Sequence, residues 1–151
     1  MNRFISLLLT AVFLFTACGE QTKPEQEQQI RFCLNGKVEC LVSSDKYSVR
    51  LLTNVEQVSP ETLFSVALEI ENVAQLTKVS GYLEGVSMYM GKIPLVFNIG
   101  NSDKQFIANG FVGSCSEPQM YWRIIVDFEF IDASGQQHKA QVVDNFYSRS
   151  Q

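Results

Sequence analysis

The chain has 151 residues and a formal charge of −4, with 46% hydrophobic, 11% aromatic and 19% charged residues. That apolar content excludes a disordered or low-complexity chain, and an acidic balance with scattered charges argues against nucleic acid as a partner. Without residues 1–17 the length is 134 (151 less 17) and the charge −5 (11 basic, 16 acidic), which suits one domain around a single core.

The chain opens on Arg3, an apolar run from Phe4 to Phe15, and then Phe15-Thr16-Ala17-Cys18-Gly19. A basic start, a short apolar run and small residues before a cut site define an export signal, and about twelve apolar residues are too few to span a bilayer core of about 30 Å. The segment resembles the signal and lipobox of bacterial lipoproteins. That resemblance implies cleavage after residue 17, acyl chains on Cys18 as the first mature residue, and a membrane anchor. Gly19 and Glu20 follow the cysteine with no Asp, as in lipoproteins sent to the outer membrane, so the expected location is periplasm-facing and lipid-anchored there. Residues 18–31 are nearly devoid of apolar side chains after Gly19 and read as a solvated tether, because they bury too little surface to offset the entropy of ordering.

The folded domain is then expected over 32–151. Cys33 and Cys40 flank Leu34-Asn35-Gly36-Lys37-Val38-Glu39, and Asn-Gly is a strong turn signal, so the two thiols are predicted to meet in a disulfide in an oxidising compartment. With Cys18 assigned to lipid, Cys115 is left over, either as a small buried hydrophobe or as a functional thiol.

Short strands are predicted at 38–42 and 47–53, separated by Ser44-Asp45. The clearest period-two pattern follows in Phe64, Val66, Leu68 and Ile70, alternating with Ser65, Ala67 and Glu69. Further strands are predicted at 78–84, 93–99 and 104–112, divided by turn-forming residues at 72–75 and 100–103. Trp122, Ile124, Val126, Phe128 and Phe130 alternate again, and Asp132-Ala133-Ser134-Gly135 turns that strand into a partner running from 138 to 147. No stretch carries a helical apolar stripe. The expected fold is all-β: an immunoglobulin-like antiparallel β-sandwich of seven to eight strands, with Trp122 in the core between the sheets or with its edge lining a nearby site.

Catalysis is not expected. The one histidine, His138, sits in a polar hairpin, and the chain has no phosphate-binding glycine loop and no cluster of His and carboxylates suited to zinc. The chemistry-bearing residues gather instead in Gly85 to Pro94 and Gly113 to Trp122. Met88 and Met90 point to the same face of an extended backbone, and Met120 follows Cys115 by five residues. Thiolate and thioether donors select Cu(I), and loops on a rigid sandwich are a common place for binding residues. The same methionines also suit simple core packing against Tyr89, Tyr121 or Trp122. Glu84 and Lys92, which bracket the methionine pair, read as solvated charges.

The order of Met88-Tyr89-Met90-Gly91-Lys92-Ile93-Pro94, Phe106-Ile107-Ala108, Gly113-Ser114-Cys115 and Met120-Tyr121-Trp122-Arg123-Ile124-Ile125-Val126 resembles that of YtkA-like immunoglobulin-type domains, over about residues 60 to 147. The resemblance implies an exported or membrane-attached domain in copper handling near cytochrome oxidase assembly, with Met88, Met90 and Met120 as ligands; Cys115 would add a thiolate. Two functions are therefore expected. One is non-catalytic Cu(I) binding for storage or delivery to a periplasmic partner. The other is a metal-free lipoprotein that docks an envelope protein through its surface or a strand edge.

Overall fold

A computed structural model of the protein describes residues 31–150. The export signal, Cys18 and the tether up to residue 30 lie outside the described residues. The described residues form nine strands and no helix: β1 (Glu39–Ser43), β2 (Ser48–Thr53), β3 (Phe64–Glu71), β4 (Gln75–Gly85), β5 (Lys92–Leu95), β6 (Asn98–Ile99), β7 (Gln105–Gly110), β8 (Gln119–Ile131) and β9 (Gln137–Arg149). They pair into two antiparallel sheets, ordered β1-β2-β3-β7-β6 and β5-β4-β8-β9. Setting aside β1, the strand order is that of the two immunoglobulin sheets, with β5 as an added edge strand beside β4. The expected β-sandwich is therefore the observed fold.

The strand count exceeds the expectation by one or two because the stretch at 93–99 is not one strand. It pairs with β4 as far as Leu95, passes through Val96 and Phe97, and joins the other sheet at Asn98. Pro94 lacks an N–H and so fits the outer edge, where no ladder bond is lost. A single parallel bridge, Val58 with Ser148, ties the β2–β3 connection to the edge of the second sheet, and the Arg149 N–H donates to the Val58 carbonyl at 3.1 Å.

Alternation does what the sequence promised. Phe64, Val66, Leu68 and Ile70 are buried on one face of β3, and Met120, Trp122, Ile124, Val126, Phe128 and Phe130 on one face of β8. The faces meet through ring contacts: Phe64 on Phe146 at 6.1 Å, and Tyr47 edge-on to Phe128 and Phe130, each at 5.3 Å. Trp122 is fully buried and its indole N–H donates to the Ser148 hydroxyl at 3.0 Å, so it is core and lines no open site.

Apart from the β5–β6 crossover, the strand directions sort the connections to one of two ends. The turn end carries the short links after β1, β3, β6 and β8; the loop end carries the links after β2, β4 and β7 and the segment entering at Arg31. At the loop end Cys33 and Cys40 form the predicted disulfide, with Cα atoms 5.4 Å apart and Gly36 at φ +73° between them. Residues 33–36 are a turn and no strand, and the disulfide pinches the loop that they open. Its anchor is remote: the buried Asp144 carboxylate accepts the Cys33 N–H at 3.0 Å and the Leu34 N–H at 2.7 Å.

Candidate functional site

The β4–β5 loop (86–91) and the β7–β8 loop (111–118) lie side by side at the loop end. The first continues the ladder between β4 and β8: the Val86 N–H donates to the Tyr121 carbonyl at 2.8 Å, and the Tyr121 N–H donates to the Ser87 hydroxyl at 3.1 Å. This fixes the start of the loop and presents Met88, which is 41% exposed. Gly91 turns the chain back at φ +72°, a conformation costly for any residue with a Cβ.

The second loop is clamped from the β2–β3 connection. Glu61 adopts φ +58°, unusual for a residue with a side chain; its N–H donates to the Val112 carbonyl at 2.8 Å, and its carboxylate accepts the Ser114 hydroxyl. The adjoining Cys115 is half-buried, and its thiol donates to the Met88 sulfur at 3.3 Å. The Glu117 backbone N–H, aided by the Ser116 hydroxyl, holds the Cys115 thiol below the ordinary cysteine range, which raises the fraction present as nucleophilic, metal-binding thiolate.

The four predicted sulfur donors thus divide. Cys115 and Met88 meet at a place open to solvent. Met90 is half-buried between two glycines: a Cβ at Gly85 would come 3.2 Å from its Cγ, and one at Gly113 would come 3.1 Å from its terminal methyl. Both glycines therefore make room for this side chain. Met120 is only 2% exposed, and its sulfur accepts the Ser87 hydroxyl at 3.9 Å, the arrangement of a packed core methionine. As a donor set, the thiol and thioether pair fits a soft ion. Among the described residues no group of three or more His, Cys, Asp and Glu side chains is placed to hold a harder one.

The charges bracketing the methionines are less free than expected. Glu84 meets Arg123 at 3.4 Å, and the Lys92 ammonium sits 4.1 Å from the Tyr82 ring centroid, with the Tyr82 hydroxyl as the main cause of its raised pKa. His138 lies 2.6 Å from the Asp132 carboxylate and packs on the Phe130 ring, far from the sulfur pair at the turn end. Sequence reasoning did not single out Ser87, Glu61 or Asp144. Only Asp144 left a trace, as a charged residue within the apolar tail strand.

No family model matches the sequence, and no curated protein matches it. Among solved structures, the fold is similar to part of a DUF4785 family protein from Legionella pneumophila subsp. pneumophila str. Philadelphia 1, with a TM-score of 0.57 and 13% identity, over 70% of this chain and 29% of that one. This chain spans less than a third of that protein, and the likeness is one of fold.

Proposed function

We propose that the protein is a lipid-anchored, periplasm-facing lipoprotein of the outer membrane that binds Cu(I) without catalysis, for storage or delivery to a partner. The observation that carries this reading is the contact of Cys115 and Met88 sulfurs at 3.3 Å, on two loops and open to solvent. The lowered thiol pKa supports it, because a metal ligand must be deprotonated and a thiol that ionises more readily costs less to recruit. The lipobox and the likeness to YtkA-like domains point the same way. Cys115 and Met88 act as the primary donors and Met90, seated beside the same loops, as a further one. The burial of Met120 supports a packing role for it. The metal-free alternative, a lipoprotein that docks an envelope protein, draws on the apolar side chains exposed at the same end.

A Cu(I) titration against a chromogenic chelator tests the reading on the wild type and on Cys115→Ser, Met88→Leu and Met120→Leu. One equivalent should bind the wild type; Cys115→Ser and Met88→Leu should lose at least about tenfold in affinity, equal to about 1.4 kcal/mol, and Met120→Leu should keep it. A wild type that never competes with the chelator rejects the copper reading.

A further inference from the structure

Among the described residues, ten large hydrophobic side chains are exposed, and seven belong to the loop end, including Leu63, Val86, Met88, Tyr89 and Phe111. None lies in the turns of the opposite end, and Tyr89 is the most open at 89% exposure. The described chain also enters at this end: Phe32 stacks on Tyr121 and Tyr147 at 5.2 and 5.6 Å, and the Arg31 carbonyl accepts the Asn145 side-chain amide at 2.6 Å. We propose that the loop end rests on the lipid surface to which the chain is anchored, with Leu63, Tyr89 and Phe111 as its contacts. This rests on the anchoring through Cys18 in the proposed function and is independent of copper.

Reach decides the orientation. The residues between Cys18 and Arg31 span at most about 45 Å when fully extended. Asn145, which holds the Arg31 carbonyl, pairs with Arg123, so at 3.4 Å per residue Arg31 lies about 14 Å from the loop end of β8 and about 27 Å from its turn end. Placing the turn end on the bilayer would draw the tether beyond its relaxed span of about 20 Å, whereas the loop end reaches it with the tether slack and its entropy kept. A short tether also gives an effective concentration on the order of millimolar, so a few side chains of the kind found at membrane interfaces suffice for contact. Charges at this end come in both signs, Glu61 and Glu117 against Lys92 and Arg149. The contact is therefore apolar and insensitive to salt.

The test uses the full chain purified from membranes and reconstituted in phosphatidylethanolamine–phosphatidylglycerol vesicles that carry a headgroup-linked quencher. One sample bears a fluorophore on Cys115, the other on Asn101→Cys at the turn end in a Cys115→Ser background. The Cys115 reporter should be quenched at least about threefold more than the Asn101→Cys reporter, in low and high salt alike. Leu63→Ser, Tyr89→Ser and Phe111→Ser together should remove the difference, and Tyr89→Ser alone, at an open position, should reduce it if the triple variant fails to fold. A chain that does not float with the vesicles overturns the anchoring and this orientation with it. A floating chain with equal quenching at both reporters overturns the orientation alone, as does energy transfer between labelled copies without lipid quenching, which marks a copy-to-copy interface.

Discussion

The two ends of the sandwich are built on different principles. At the turn end three of the four links are closed by their own side chains: the Ser44 hydroxyl accepts the Lys46 and Tyr47 N–H groups, the Gln105 amide oxygen accepts the Asn101 N–H, and one Asp132 oxygen accepts those of Ser134 and Gln136. At the loop end the backbone is held by residues remote in sequence. Asp144 holds Cys33 and Leu34 across more than a hundred residues, Glu61 clamps the segment from Val112 to Ser114, and Ser87 joins Met120 and Tyr121. Local closure uses up a turn's polar groups and leaves little to offer a ligand. Long-range clamping instead fixes two loops while leaving Met88 and Cys115 presented between them.

If remote clamps hold the loop end, cutting one should cost more than any exposed change in a turn. Asp144→Ala leaves two backbone N–H groups without their partner in a buried place, at about 1–3 kcal/mol for each. Urea unfolding should show a loss of about 2–5 kcal/mol, with amide exchange accelerated first at Cys33 and Leu34. A loss below about 0.5 kcal/mol, the scale of ordinary surface substitutions, would mean that the carboxylate is not a clamp. Replacing Cys33 and Cys40 together by Ser should cost slightly less. Opening a loop of eight residues is worth about 2.5 kcal/mol by chain entropy, and Asp144 would still hold the backbone. Were the double variant as damaged as Asp144→Ala, the disulfide and the carboxylate would be a single device.

The same contrast explains what the sequence disclosed. The turns at Ser44-Asp45, Gly100 to Asp103 and Asp132 to Gly135 were legible because their chemistry lies within a few residues, and β3 and β8 because their buried sets repeat every second position. The break of 93–99 into β5 and β6 was hidden, since Ile93, Leu95 and Phe97 keep the alternation while the chain changes sheets. At the candidate site, the two segments that carry sulfur were visible, but the division of labour among the four donors was not. Spacing places Met88 and Met120 on faces; it does not say that one side chain meets solvent and the other is buried beneath Ser87. Glu61 as a clamp was beyond reach, because its partners lie some fifty residues away.

The smallest effect belongs to the turn end and concerns acid. The Ser134 hydroxyl, with His138 behind it, holds the Asp132 carboxyl far below the usual carboxylate range, and Lys139 lowers Glu129 on the same hairpin. For a carboxyl depressed in the folded state, the stabilisation is fully present above the unfolded value of about 3.9 and is lost as pH falls through the folded one. Unfolding free energy should therefore show no loss from Asp132 between neutral pH and about 4, then fall on further acidification. Asp132→Asn, which keeps an oxygen acceptor for the Ser134 and Gln136 N–H groups but cannot ionise, should flatten that acid limb and leave the Cys115 alkylation rate unchanged. An acid limb of unaltered slope would show that the aspartate does not hold the turn through its charge. A changed alkylation rate would show that the two ends are coupled through the sheets and do not fold as separately secured halves.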